Sequence, residues 1–260
     1  MTEIKTIKHW INGASYEGTP IGRFPVENPG TGEVEKELLQ ASDADLDHAV
    51  EVAREAQKSW AGYSLAKRTA IMFKMRELVL AHSDEMARLI VEEHGKNYSD
   101  AIGEIQRGRE TLDFSTAINL ALKGEYSFDI STGVDIHTIR QPLGVVAGIC
   151  PFNFPAMVPM WMHPVAIATG NAFILKPASA TPSAALLTAE LYKEAGLPDG
   201  VFNVVSGNRT MVTKILEHPG IDAISFVGST PVAHIIQNTG VSNGKRVQAL
   251  GGANNHAIVM

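Results

Sequence analysis

The sequence predicts an α/β protein: a doubly wound parallel sheet, preceded by a helical layer and carrying a protruding β-hairpin. Three observations predict this. From residue 145 short apolar runs, "VVAGIC", "AFILK", "VFNVV", "AISFV" and "RVQAL", alternate strictly with helical stretches, as strands buried on both faces and joined by helical crossovers do. Residues 42–122 hold four successive segments with apolar residues at helical spacing. Between these regions, "YSFDISTGVDIHTIRQPLG" alternates apolar and polar residues around Ser131-Thr132-Gly133, which reads as an antiparallel arm.

In chain order, "HWINGASY" places Asn12-Gly13 between two short runs, a hairpin signal, and "VENPGTGEVEKELL" repeats the theme with a longer turn. "SDADLDHAVEVAREAQKSW" opens on cap residues and spaces Leu46, Ala49, Val50, Ala53, Ala56 and Trp60 along one helical face. "SLAKRTAIMFKMRELVLAH" follows, then "SDEMARLIVEEHG" with Ser83 as cap and Gly95 as stop, then one helix through "SDAIGEIQRGRETLDFSTAINLAL". The expected organisation is therefore an N-terminal layer over 1–123, a hairpin over 124–143 that serves oligomerisation, and a nucleotide-binding sheet over 144–260. The closing "HAIVM" reads as a further strand without a turn after it.

Composition narrows the function. The 260 residues are 45% apolar, enough for a sizeable core. The net charge is −6, from 28 acidic against 22 basic residues, and no basic stripe exists to neutralise a nucleic-acid backbone. A single cysteine, Cys150, forms neither an internal disulfide nor a thiolate metal site, so no metal is expected. No apolar run is long enough to span a bilayer, and "MTEIKTIKHWINGASY" has acids and a turn signal where a signal peptide needs an apolar stretch. A soluble protein of a reducing, cytoplasmic compartment is expected, with a small-molecule ligand.

In doubly wound sheets ligands bind outside the carboxyl ends of the strands. The five exits are Pro151-Phe152-Asn153, Pro177-Ala178-Ser179, Ser206-Gly207, Gly228-Ser229-Thr230-Pro231 and Gly251-Gly252. Small, polar and turn-forming residues thus stand where a phosphate would be cradled. Thr230 as N-cap with Pro231 as first helical residue would turn free amides and a positive dipole end outward, and Thr181-Pro182 repeats the arrangement. The same residues also suit ordinary βα turns. No G-x-G-x-x-G occurs.

Taken in order, "PFNFP", "LKPAS", "FVGST" and "LGG" resemble the motifs of the aldehyde dehydrogenase superfamily, and the resemblance runs from "INGASY" to "VQALGGANNHAIVM". The sequence is most similar to the CoA-acylating methylmalonate-semialdehyde dehydrogenase branch, through "GVVAGICPFNFPAMVPMWMHPVAIATGN", "AISFVGSTPVA" and "GKRVQALGGANNH". The resemblance implies a Rossmann-like sheet, a homo-oligomer, NAD as cofactor and coenzyme A as co-substrate. It implies oxidation of methylmalonate or malonate semialdehyde to propionyl- or acetyl-CoA through a cysteine thioester.

By the same resemblance, Asn153 would donate to the oxyanion formed on the aldehyde, and Lys176 would hold the adenine ribose. Cys150 and Phe152 would line the cofactor groove with Ser179, Ala180 and Gly228, Ser229 would meet the pyrophosphate, and Gly251 would approach the nicotinamide side. The superfamily's nucleophile lies beyond "LGG", after residue 260, so the chain reads as an N-terminal fragment without its catalytic domain. Cys150 has no adjacent base and reads as a small buried side chain.

Two departures from the superfamily pattern bear on chemistry. Ser179 stands where many members carry a glutamate against the adenosine ribose, so NADP as well as NAD becomes possible. Ala249 stands where hydrolytic members carry a glutamate base; alanine takes no proton, which leaves the acyl-enzyme to coenzyme A. Arg107 matches an arginine that holds the substrate carboxylate in the resembled branch, and equally suits a solvated helix face paired with Glu104 or Glu110. Arg109 is a weaker candidate. The alternatives are a hydrolytic enzyme such as succinate-semialdehyde dehydrogenase, expected to keep a glutamate at 249, or a non-catalytic dinucleotide-binding fragment.

Overall fold

The computed structural model describes residues 4–253 and 256–260; the Asn254-Asn255 part of the "GGANNH" motif lies outside them. The chain opens with β1 (Lys5–Ile7), β2 (His9–Ile11), β3 (Ala14–Tyr16), β4 (Gly22–Asn28) and β5 (Glu33–Gln40). Asn12 and Gly13 both adopt positive φ, 55° and 71°, the conformation a tight hairpin demands and the reason this dipeptide marks one. A helical layer follows: α1 (Asp43–Ala61), α2 (Leu65–Ala81), α3 (Ser83–His94), α4 (Tyr98–Thr116) and the short α5 (Ile118–Ala121).

Ser42 caps α1 in a reciprocal box with Asp45, which satisfies two amides that the first turn leaves open. Gly95 ends α3 in the left-handed conformation, as expected. Ser83 is not the cap of α3: the N-cap is His82, and the Ser83 hydroxyl turns back to the carbonyl of Val79 in the preceding helix at 2.8 Å. The helix expected through residue 122 breaks at Ala117, where φ is −105° and ψ 18°.

The hairpin is β6 (Tyr126–Ser131) with β7 (Val134–His137), a two-stranded sheet exposed along its whole length. The main sheet then forms from β8 (Val145–Ile149), α6 (Met157–Ala168), β9 (Ala172–Lys176), α7 (Ser183–Glu194), β10 (Phe202–Val204), α8 (Arg209–Glu217), β11 (Ala223–Val227), α9 (Thr230–Ser242) and β12 (Arg246–Leu250). Its order is β12-β11-β8-β9-β10-β2-β3. The five predicted strands run parallel, and the N-terminal hairpin adds an antiparallel edge through Trp10 opposite Val204. A separate three-stranded sheet has the order β1-β5-β4.

Two apolar cores flank the main sheet. One joins α2, α3, α4, α6 and α7 through residues such as Met72, Ile105, Met160 and Phe173; the other joins α1, α8 and α9 through Leu46, Ile215 and Ile236. Trp60 at the end of α1 is fully buried and donates to the carbonyl of Ile167 at 2.9 Å, tying α1 to α6. Residues 256–260 form no strand and are exposed: a strand exists only where a neighbour completes its ladder, and none of the described residues pairs with them.

Candidate cofactor and active site

The sheet order places β8 between β9 and β11. The chain builds outward from β8 to β9 and β10, then returns to add β11 and β12 on the other side. Connections from β8 and β11 therefore leave toward opposite faces, which opens a crevice at their carboxyl ends. The strand order gathers the exits of β8, β9, β11 and β12 at this end of the sheet. A hollow of about 360 Å³ between β1, β2, α3 and α7 shares none of the candidate residues.

At the exit of β9, Lys176 is 8% exposed and its ammonium makes no hydrogen bond or ion pair with the described residues. Burial pulls its pKa from 10.5 to about 8. The adjacent Cys150 thiol is driven far up by burial, so it is neutral where Lys176 titrates and supplies no counter-charge. The Lys176 ammonium is not among the fully enclosed unpartnered atoms: the stem is buried and the charged tip opens at the exit, where a ribose or phosphate oxygen would partner it. Ser179 donates to the carbonyl of Gly207 at 3.3 Å, and Ala180 is exposed beside it.

Across the crevice, α9 starts at Thr230, with Ser229 as N-cap and Pro231 in the first turn. The cap is thus one residue earlier than the sequence suggested. The Ser229 side chain makes no capping bond, so the amides of the first turn stay open at the positive end of the helix. The Thr230 hydroxyl instead accepts from Gly252 N at 2.9 Å. A Cβ at Gly251 would lie 3.1 Å from the Cα of Thr230; the bare backbone allows this close approach. The parallel expected at Thr181-Pro182 is not formed: α7 starts at Ser183, and its first amide donates to Glu93 at 3.0 Å. Gly228 is half-buried at the end of β11 and donates to the carbonyl of Leu250, joining the two exits.

The exit of β8 carries the candidate oxyanion donor. Asn153 is exposed and its side chain makes no hydrogen bond with the described residues. Phe152 is 60% exposed and stacks on His94, with ring centroids 6.2 Å apart. Desolvation, aided by Lys96 and opposed by Glu104, lowers the pKa of His94. Cys150 is buried with its sulfur 3.7 Å from Met162 Sδ, and the reading as a small buried side chain fits this geometry. Sequence reasoning did not single out His94, Lys96 or the role of Glu104. Lys96 donates to the carbonyl of Asn153 at 2.8 Å and to Glu104 at 2.6 Å, and Glu104 accepts from Ala156 and Met157 N–H at 2.7 and 3.1 Å.

Arg107 is exposed on α4 and pairs with neither Glu104 nor Glu110; the Glu104 carboxylate belongs to Lys96. Arg109 is half-buried with an unpartnered Nε. Ala249 sits in β12 opposite Phe226, packed against the second core. Among the described residues no group of three or more His, Cys, Asp or Glu could hold a metal ion, and no helix is long and apolar enough to cross a membrane.

This switch-point crevice, entered by an Asn-bearing turn and edged by a buried lysine, defines a class. The aldehyde dehydrogenase family model matches residues 16–260, and the chain belongs to that family. Within it, the chain is 49% identical over 260 residues to malonate-semialdehyde dehydrogenase 3 of Geobacillus kaustophilus, covering 100% of this chain and 54% of the relative. A solved methylmalonate-semialdehyde dehydrogenase of Oceanimonas doudoroffii superposes with a TM-score of 0.94 at 48% identity, over 97% of this chain and 52% of that one. A Sinorhizobium meliloti protein provisionally given the same enzyme name, and complexed with NAD, superposes with a TM-score of 0.96 at 46% identity, over 98% and 52%. The chain therefore spans about half the length of the relatives it matches.

Proposed function

We propose that this chain is the cofactor-binding half of an NAD-dependent, CoA-acylating dehydrogenase for malonate or methylmalonate semialdehyde. The observation that carries the reading is Lys176, largely buried at the exit of β9 with no hydrogen bond to the described residues, together with the uncapped first turn of α9 after β11 in the same parallel sheet. Bound here, NAD would supply the hydride acceptor for the oxidation. Lys176 holds the adenosine ribose, Ser179 and Ala180 border it, and the amides behind Ser229 receive the pyrophosphate. Gly251 and Phe152 flank the nicotinamide end.

Asn153 donates its side-chain amide to the oxyanion that forms when a thiolate attacks the aldehyde, a contact worth about 3 kcal/mol in comparable sites. The thiolate comes from outside residues 1–260, since the inward, strongly desolvated Cys150 cannot supply it. Ala249 leaves no local base to activate water, which favours transfer of the acyl group to the thiol of coenzyme A. Arg107 meets the substrate carboxylate, free of an ion pair that would compete. The N-terminal helices cover both faces of the nucleotide-binding sheet, and β2 and β3 extend its edge. The hairpin of 124–143 exposes Tyr126, Phe128, Ile130, Val134 and Ile136, an apolar arm suited to a homo-oligomer.

The test uses residues 1–260 fused to the remainder of the Oceanimonas doudoroffii relative, with semialdehyde, NAD and coenzyme A. With coenzyme A present, mass spectrometry should find acyl-CoA; with it omitted, rapid mixing should give a burst of NADH absorbance followed by a slow phase. Free acid as the sole product would replace the acylating reading by a hydrolytic one.

A further inference from the structure

We propose that Lys96 and Glu104 form a buried charge clamp that positions Asn153 for the reaction; the inference rests on the assignment of Asn153 as oxyanion donor. The helix α6 that follows the Asn153 turn lacks a cap of its own. Its N-cap is Ala156, which has no side-chain acceptor. The acceptor is imported from α4: Glu104 Oε1 receives the amides of Ala156 and Met157 at 2.7 and 3.1 Å. The other oxygen of the same carboxylate, Oε2, binds Lys96 Nζ at 2.6 Å.

Lys96 then reaches the upstream end of the same stretch. Its ammonium donates to the carbonyl of Asn153 at 2.8 Å and lies 4.5 Å from the ring centroid of Phe154. One ion pair thus grips residues 153–157 at both ends. The Glu104 side chain is fully buried and that of Lys96 is 10% exposed, so water competes weakly with the ion pair, while the bond to the Asn153 carbonyl lies at the exposed end of the clamp. At Asn153 the grip is confined to the backbone carbonyl: the side chain makes no hydrogen bond with the described residues and stays free to donate. An exposed donor on a fixed backbone is the arrangement that preorganised stabilisation of a developing charge requires. A structural salt bridge alone would not need its cation on the carbonyl of the one residue that faces the chemistry.

Two measurements test this. On the fusion enzyme above, Asn153→Ala should lower kcat by about 100- to 1,000-fold. Lys96→Met should lower kcat by about 100-fold, as a misplacement of an ångström does, with KM for the aldehyde and affinity for NAD changed by less than about twofold. Lys96→Arg, which keeps charge and donors, should recover most of that loss. The double variant Lys96→Met with Asn153→Ala should be no slower than Asn153→Ala alone, because both changes remove one function. Additive losses, or a Lys96→Met enzyme with unchanged kcat beside an impaired Asn153→Ala enzyme, would overturn the clamp. An Asn153→Ala enzyme with full activity would overturn the assignment of Asn153 and the clamp with it.

The second measurement needs residues 1–260 only. Amide exchange over 153–157 should rise in Glu104→Gln and Lys96→Met while β8 and β9 keep their protection. Unchanged exchange over 153–157 would overturn the proposal independently of catalysis.

Discussion

Replacing Lys176 by methionine should stabilise the fold and weaken the cofactor together. Methionine keeps the length and apolar stem of the side chain and removes the charge. The cost of that charge follows from its pKa. Burial lowers it from 10.5 to about 8, and at 1.36 kcal/mol per pH unit this sets a ceiling of about 3 kcal/mol against the native state. The sign follows from proton binding: between about 8 and 10.5 the unfolded chain holds the proton and the native chain has lost it, so native stability rises with pH through that window. The penalty is complete below pH 8 and gone above 10.5.

Urea unfolding of both proteins between pH 7 and pH 10 measures this, with slopes compared to exclude a change in the unfolded state. Lys176→Met should gain roughly 1–3 kcal/mol at pH 7, and the gain should shrink as pH rises. Calorimetric titration at pH 7 should show NAD binding weakened by about 1–3 kcal/mol, the worth of a charged hydrogen bond. A methionine variant that is less stable at pH 7, or a gain independent of pH, would refute the claim that Lys176 is an unpaired buried cation.

Ser179→Glu should weaken NADP binding by tenfold or more relative to NAD, about 1.4 kcal/mol, because only NADP brings a 2′-phosphate to the new carboxylate; equal effects on the two cofactors would place residue 179 away from the ribose. His163 is fully buried and its pKa falls from 6.5 to about 3 through desolvation. The unfolded chain therefore binds the proton first, and stability should drop by up to about 4–5 kcal/mol as pH falls from 6.5 to 3. His163→Phe should flatten that slope in acid titrations, although it strands the hydroxyl of Tyr192, which lies 2.7 Å from His163 Nδ1. Phe128→Asp, placed where the hairpin side chain is 77% exposed, should reduce self-association in sedimentation without changing the melting temperature by more than about 2 °C.

Local signals were legible where local chemistry decides the outcome. Asn12-Gly13 fixed a hairpin because few other residues tolerate its dihedrals, and the five apolar runs were strands because their length and flanking turns allowed little else. The positions of the exits followed from the strands, whereas the roles given to Lys176, Ser179 and Gly251 came only from the resemblance to the family. Ser83 misled because the hydroxyl had a competing acceptor in the previous helix, Val79. The addition of the hairpin to the main sheet was illegible because Trp10 meets Val204 from 194 residues away, 204 minus 10. The clamp was illegible for the same reason: the donors to Glu104 are backbone amides 52 and 53 residues away, and no side-chain pattern announces a backbone partner. The inward turn of Cys150 toward Met162 depends on α6 lying over β8, which spacing does not specify.

The central claim is that a nicotinamide dinucleotide occupies the crevice between the exits of β8 and β11. Its most direct test is an amide-shift titration of the isotopically labelled chain with NAD at millimolar concentration. Saturable shifts should gather at Phe152–Phe154, Lys176–Ala180, Ser229–Val232 and Gly251, and should be weakened by Lys176→Met. No saturable shift, or shifts gathered at the opposite end of the strands around Gly144, Asn171 and Ile221, would contradict it.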